Sequence, residues 1–179
     1  MDLREKKTLR NIKNAFFELR KEKNIERIKI KEICEKAEIS KATFYLHYSD
    51  IYDLSETLQK EVITSILDSI PNPEKIYSNY VEFTKKLLEA FYQQEENISV
   101  LFSGSQLSVL PTAIEKEIKT FVYSLLPQKK EDPSFNILLS YHIQGSYYAY
   151  IRNGHKFGKD FTQKAIKKIS EIFYSLCEY

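Results

Sequence analysis

The residue types best suited to contact nucleic acid lie in a short stretch after Ser40. Lys41 can donate hydrogen bonds to guanine O6 and N7, and Ala42 can touch the methyl group of thymine. If Phe44 faces the core, a rotation of about 100° per residue turns its neighbours outward. Those neighbours are Ala42, Thr43, Tyr45 and Leu46. Small, hydroxylic and aromatic groups beside a lysine suit the major groove, so the spacing predicts a base-reading surface.

Two short helical segments around a three-residue turn, 38–40, are expected to hold that surface in place. Ser40 is a suitable N-cap, because its hydroxyl can accept a hydrogen bond from the free amides of the next turn. Ile39 before the cap and Phe44 at the fourth helical position form a hydrophobic staple. A helix-turn-helix also needs a small shared core, which is completed by Ile33 and Ala37.

Residues 8–66 resemble the DNA-binding domain of the tetracycline-repressor-like (TetR) transcriptional regulators. The string Thr43-Phe44-Tyr45-Leu46-His47-Tyr48 resembles the most recognisable motif of that family, and Leu54 starts the connecting helix. The other matching positions are Ile12, Ala15, Phe16, Leu19, Ile30, Ile33, Ala37, Ile39 and Ser40. The resemblance implies a homodimer, DNA reading through the third helix, and a C-terminal domain whose ligand changes the affinity for DNA.

The resemblance also implies which residues bind DNA: Lys29, Ser40, Lys41, Ala42, Thr43, Tyr45, His47 and Tyr48. The residues of the third helix would face bases or nearby phosphates, and Lys29 and His47 would contact phosphates. Three of these residues also have a purely structural interpretation. Tyr45 can be a core aromatic, His47 can serve packing, and Lys41 can be a solvated charge.

The sequence departs from the family pattern at two positions. Glu38 stands in the turn where the family usually has glycine, which costs on the order of 1 kcal/mol if its φ is positive. Ile51 stands where the fourth helix usually begins with a basic residue, so one phosphate contact is expected to be absent. Neither departure removes the reading helix.

The charge distribution agrees with a polyanionic partner at the N-terminal end. Residues 1–49 hold 13 Lys and Arg against 8 Asp and Glu, a balance of +5, whereas residues 50–179 have a balance of −3. A basic N-terminal region on a mildly acidic body suits nucleic acid. A solvated helix face with mixed charges remains the alternative.

The rest of the chain predicts an all-α fold of about nine helices. Only 4 Gly and 5 Pro occur in 179 residues, too few for a fold with many tight turns, and apolar residues recur at helical spacing. The predicted domains are a DNA-binding domain, 1–49, with a connecting helix, 50–70, and a C-terminal ligand-binding and dimerisation domain, 71–179. The later helices are predicted at about 74–94, 98–107, after Pro111, 134–153 and 159–177.

The C-terminal domain offers candidate residues for a ligand and for a partner subunit. Aromatic and polar side chains that can line a pocket for an apolar or aromatic effector are Tyr92, Phe102, Phe121, Tyr141, His142 and Tyr147. A tyrosine-rich core with satisfied hydroxyls is the alternative. Helices 134–153 and 159–177 are expected to pair with a second copy in a four-helix bundle that buries Phe161, Ile169, Ile172 and Leu176.

Several classes of protein are not expected. No apolar run approaches the ~20 residues of a membrane helix, no secretory signal is evident, and Cys34 and Cys177 suit neither a zinc site nor a disulfide framework. We expect a cytoplasmic protein without cofactor, metal or enzymatic activity. The leading hypothesis is a transcriptional regulator that acts as a repressor and is released from a palindromic operator by a small ligand. The alternatives are an activator or co-regulator controlled by a protein partner, and a helical interaction protein with a vestigial helix-turn-helix.

Overall fold

A computed structural model describes residues 2–73 and 80–177, and in these residues it contains nine α-helices and no strand. The all-α prediction is therefore confirmed. The helices are α1 Leu3–Glu22, α2 Ile30–Ala37, α3 Lys41–Tyr45, α4 Ile51–Asp68, α5 Tyr80–Gln93, α6 Glu95–Leu101, α7 Leu110–Leu125, α8 Pro133–Phe157 and α9 Lys159–Cys177. The predicted start of the fifth helix, at 74–79, lies outside the described residues.

The chain divides into two compact units. The first contains Met1–Val62 together with Glu96–Leu110, and the second contains Ile63–Glu95 together with Pro111–Tyr179. The first boundary thus falls inside α4, and a segment from the middle of the chain packs with the N-terminal residues. The sequence pattern carried no sign of this grouping, because it depends on contacts between distant positions.

The first unit is built on an apolar core formed by α1 to α4. Its fully buried side chains include Ile12, Phe16, Ile33, Phe44 and Leu54. Their spacing in α1 and α2 is the helical repeat of the sequence, so one stripe of each helix faces the shared core. Cys34 is also buried, as expected of a small core residue, and burial raises the pKa of its thiol.

Polar contacts join residues 96–110 to this core. The Arg20 guanidinium, at the end of α1, donates to the backbone oxygens of Val100 and Ser103, both at 3.1 Å. Gln59 Nε2 of α4 donates to the Leu101 oxygen at 3.3 Å. Gly104 has a φ of 62°, and a Cβ there would lie 2.7 Å from Asn24 Oδ1. Residues 96–110 therefore pack closely on α1 and α4 within the first unit.

The second unit is a bundle in which α9 packs on α5 and α8. Its core includes Phe83, Ile118, Leu139, Ile166 and Phe173. A polar network joins α7 to α8. Its carboxylate, Glu115, accepts hydrogen bonds from Ser140 at 2.6 Å and Gln144 at 2.8 Å. These bonds, with the nearby Lys119, lower the pKa of that carboxyl to about 2.

Three helix boundaries differ from the predicted ones. The sequence predicts a helical segment from Ser40 to Tyr48, whereas α3 ends at Tyr45. The predicted helix 98–107 is an α-helix to Leu101 followed by a 3-10 turn at Gly104–Ser108. Helix α8 continues through Gly154 and ends before Gly158, whose φ of 86° is incompatible with the helix. A glycine lowers helix propensity by about 1 kcal/mol but does not itself end a helix.

Candidate nucleic-acid interface

The predicted helix-turn-helix is present, with the turn geometry that the sequence indicates. Ser40 Oγ accepts a hydrogen bond from the Thr43 amide at 3.0 Å, so it caps α3 as predicted. Glu38 adopts the left-handed conformation, with φ 56° and ψ 46°. This conformation closes the end of α2, because it lets the Ile39 amide donate to the Cys34 oxygen at 3.0 Å. The strain that glycine would avoid is therefore present at Glu38.

Helix α3 presents an exposed face and is anchored by one buried ring. Phe44 is fully buried, whereas Tyr45 and Leu46 are 55% and 81% exposed. Lys41 and Ala42 are exposed beside them. Phe44 also supports Tyr45 directly, because their rings meet edge to face with centroids 5.6 Å apart. The structure thus places these four side chains on one outward surface, held by a short, capped helix.

The other predicted DNA-binding residues lie around this surface rather than on it. Thr43 is half-buried, and its hydroxyl lies 2.9 Å from that of Ser40. His47 is half-buried beside Tyr48, whose own ring is only 6% exposed and packs 5.7 Å from Phe44. Burial raises the pKa of the Tyr48 phenol. The structure therefore does not bring Tyr48 to the outward surface.

The start of α4 contains a local feature that the sequence reasoning missed. Asp50 Oδ1 accepts from the amides of Tyr52 and Asp53, at 2.7 and 2.9 Å. Asp53 in turn accepts from the Ser49 amide at 2.8 Å. An aspartate just before an apolar helical repeat is the signal for such a cap. Ile51, the departure from the family pattern, is buried in the core.

The charges around the interface fall into paired and unpaired groups. Lys36 forms an ion pair with Glu18, and Lys23 forms one with Glu32, each at 2.5 Å. Within the described part of the chain, Lys41 and Lys29 form no ion pair, although the Lys29 amide donates to Glu32 at the start of α2. The exposed ammonium groups of Lys41 in α3 and Lys29 at the start of α2 are available for phosphate oxygens.

The predicted ligand-pocket residues belong to both units of the chain. Phe102 is buried in the first unit, while the other five belong to the second. Tyr141 is 74% exposed, and the exposed Tyr92 lies under the Lys159 ammonium, 3.9 Å from its ring centroid. Phe121 stacks on Phe83, and Tyr147 meets Tyr148 edge to face.

His142 is the buried member of that set. It is 4% exposed and stacks on Phe173, with ring centroids 4.6 Å apart. Ser170 Oγ lies 3.4 Å from its Nε2 atom, and its Nδ1 atom has no hydrogen-bond partner among the described residues. Burial disfavours the charged imidazolium and lowers the pKa of His142 to about 4.

The predicted dimer residues form an exposed apolar face on α9. Phe161, Ile169, Ile172 and Leu176 are 47–66% exposed, whereas Ile166 and Phe173 of the same helix are buried. Large exposed side chains also mark α8, namely Ile137, Tyr141, Tyr148 and Ile151. Between α8 and α9 lies a groove of about 230 Å³, lined mainly by apolar side chains.

The chain is similar to a helix-turn-helix transcriptional regulator over part of its length. It is 31% identical over 72 residues to the uncharacterized HTH-type transcriptional regulator YxbF of Bacillus subtilis strain 168. The match covers 38% of this chain and 19% of that protein. No family model matches the chain, and no solved structure matches it. The similarity is to a helix-turn-helix regulator, and the structure contains a helix-turn-helix formed by α2 and α3.

The described residues contain neither a membrane-spanning helix nor a metal-binding cluster. Across residues 2–73 and 80–177, no helix is both long and apolar enough to cross a bilayer. In the same residues, no three His, Cys, Asp or Glu side chains are grouped so as to hold a metal ion.

Proposed function

We propose that the protein is a TetR-type regulator that binds operator DNA through α3 and acts as a repressor. The observation that carries the proposal is the outward face of α3, which is held rigid by the Ser40 cap and the buried Phe44 ring. Lys41, Ala42 and Tyr45 would meet base edges or adjacent phosphates in the major groove. His47 and Lys29 would contact the backbone, and Tyr48 would support the fold beneath them.

The protein would bind as a homodimer to a pseudo-palindromic operator. The apolar face of α9 is exposed in the single chain, and a large exposed apolar surface commonly marks an interface. Gly145 lies in the exposed row of α8 between Tyr141 and Tyr148, with open space where a Cβ would stand. That gap would admit a helix of the second copy. A two-fold dimer would place one α3 in each half-site.

A small apolar or aromatic effector would release the protein from its operator. Support comes from His142, whose unpaired Nδ1 atom sits among aromatic rings and offers a hydrogen bond to a polar group of such a ligand. Helix α4 runs from the first unit into the second, so its tilt would change the spacing of the two α3 helices. The effector must bind the two states with different affinity.

The test is to select DNA with the purified protein, sequence the retained fragments, and measure affinity for the operator so found. Tyr45→Ala and Lys41→Ala should each weaken operator binding by about 1–3 kcal/mol, because each removes a proposed contact of the reading face. Lys21→Ala is the matched control, since Lys21 is an exposed lysine paired with Glu96. Unchanged affinity in both α3 variants would favour a helical interaction protein with a vestigial helix-turn-helix.

A further inference from the structure

The first three turns of α1 carry an unusual set of cations. Arg4, Lys6, Lys7 and Arg10 are all exposed, and none forms an ion pair or side-chain hydrogen bond within the described residues. The lysines further along the same helix and directly after it are neutralised: Lys13 pairs with Glu61 at 2.5 Å, Lys21 with Glu96 at 2.8 Å, and Lys23 with Glu32 at 2.5 Å. Positive charge is therefore concentrated at one end of α1.

The contacts of α1 with α2 show where that end lies. Lys23 pairs with Glu32 near the start of α2, and Glu18 pairs with Lys36 near its end. The two helices are thus antiparallel. Asn11 Nδ2 continues the series, because it donates to the Ala37 backbone oxygen at 3.4 Å, beside the turn that leads to α3. Moving towards the N-terminus of α1 therefore moves towards the start of the reading helix.

Two of the four cations share the face that carries these contacts. Arg4, Lys7, Asn11 and Glu18 are separated by three, four and seven residues, which keeps them on one side of the helix. At 1.5 Å per residue, Lys7 lies about 6 Å and Arg4 about 10 Å beyond Asn11 along the axis. This spacing places both residues beyond the level of Ala37, the last residue of α2, towards the turn that leads to α3.

We propose that Arg4 and Lys7 form a second phosphate-binding site, which holds the DNA backbone beside the bases that α3 reads. The inference rests on the proposed function, because it assumes that α3 lies on a duplex. Duplex DNA is the occupant that fits, since its backbone carries regularly spaced phosphate charges and two exposed, unpaired cations lie about 4.5 Å apart along α1. Such contacts fix orientation and carry no base information.

The experiment compares Arg4→Ala/Lys7→Ala with the wild-type protein on the selected operator and on a base-changed operator. Each lost phosphate contact lowers the slope of log K against log salt by about 0.9. The slope of the double variant should therefore be shallower by about 1.8. Between 50 and 200 mM salt, the factor by which affinity falls should be about 12 times larger for the wild type than for the double variant. The ratio of affinities for the two operators should stay the same. Hydroxyl-radical footprints should lose backbone protection beside each half-site.

Two further variants make the result specific. Lys21→Ala/Lys36→Ala removes the same number of charges from ion-paired positions, so its slope should stay close to that of the wild type. Arg4→Lys/Lys7→Arg keeps both charges and should retain the wild-type slope and footprint. If the wild type binds with a steep slope and the double alanine variant keeps both slope and footprint, this second site is refuted while the proposed function stands. A wild type that binds no DNA refutes both.

Discussion

Glu38→Gly is expected to stabilise the protein, although glycine usually weakens folded structure. Glu38 has φ 56° and ψ 46°, where a residue with a Cβ is strained by about 1–2 kcal/mol. Glycine removes that strain but adds freedom to the unfolded chain, which costs about 0.5–1 kcal/mol. The net gain in unfolding free energy is about 0.5–1 kcal/mol, or a rise of roughly 1–4 °C in Tm for a chain of this size.

The assay is urea and thermal unfolding of three variants. Glu38→Gln removes the charge but keeps the Cβ, so its stability should stay near that of the wild type. Glu35→Gly lies inside α2 at an exposed position, and it should lose about 1 kcal/mol. Opposite signs for the two glycine variants, three residues apart, are the signature of the left-handed turn. A loss of stability in Glu38→Gly equal to that in Glu35→Gly would refute the reasoning.

Two other predictions concern the second unit. His142 has a folded pKa of about 4 against 6.5 in the unfolded chain, so between these values the unfolded state binds the extra proton and stability falls as the pH falls. At pH 4 the free energy of unfolding should be lower by about 3 kcal/mol because of this group. His142→Phe should remove this contribution from the pH dependence that urea unfolding at successive pH values measures, and the contribution of the carboxylates should remain. Ile172→Glu should convert a dimer to a monomer in sedimentation experiments, because it places a charge in the proposed apolar interface. A dimer that persists in this variant would locate the contact elsewhere.

The sequence predicted the first unit in more detail than the second. Two local signals predicted its helix-turn-helix: the Ser40 hydroxyl at the start of α3, and Phe44 among small and polar neighbours. The structure has both the Ser40 cap and the buried Phe44 ring. The strain at Glu38 was predicted from the resemblance, because the family usually has glycine at this position of the turn. The same sequence rules indicate the Asp50 cap at the start of α4, but our prediction omitted it.

What the sequence could not predict depends on contacts between distant residues. The sequence predicts one continuous apolar face on α9. In the structure Ile166 and Phe173 are buried while Ile169 and Ile172 are exposed, because α5 and α8 cover only part of that face. The aromatic residues of the predicted pocket were chosen by residue type alone, which does not determine the contacts that they make. The sites of DNA contact, ligand binding and dimerisation stay predictions.

The bonds of Arg20 have a consequence for the order in which the protein is made. The oxygens of Val100 and Ser103 that accept from its buried guanidinium are 80 and 83 positions further along the chain. A nascent chain that has emerged only to Val62 would leave this cation without those acceptors, and an unpaired buried charge is strongly destabilising. The first unit is therefore completed only after the ribosome has translated Leu110, well after Val62.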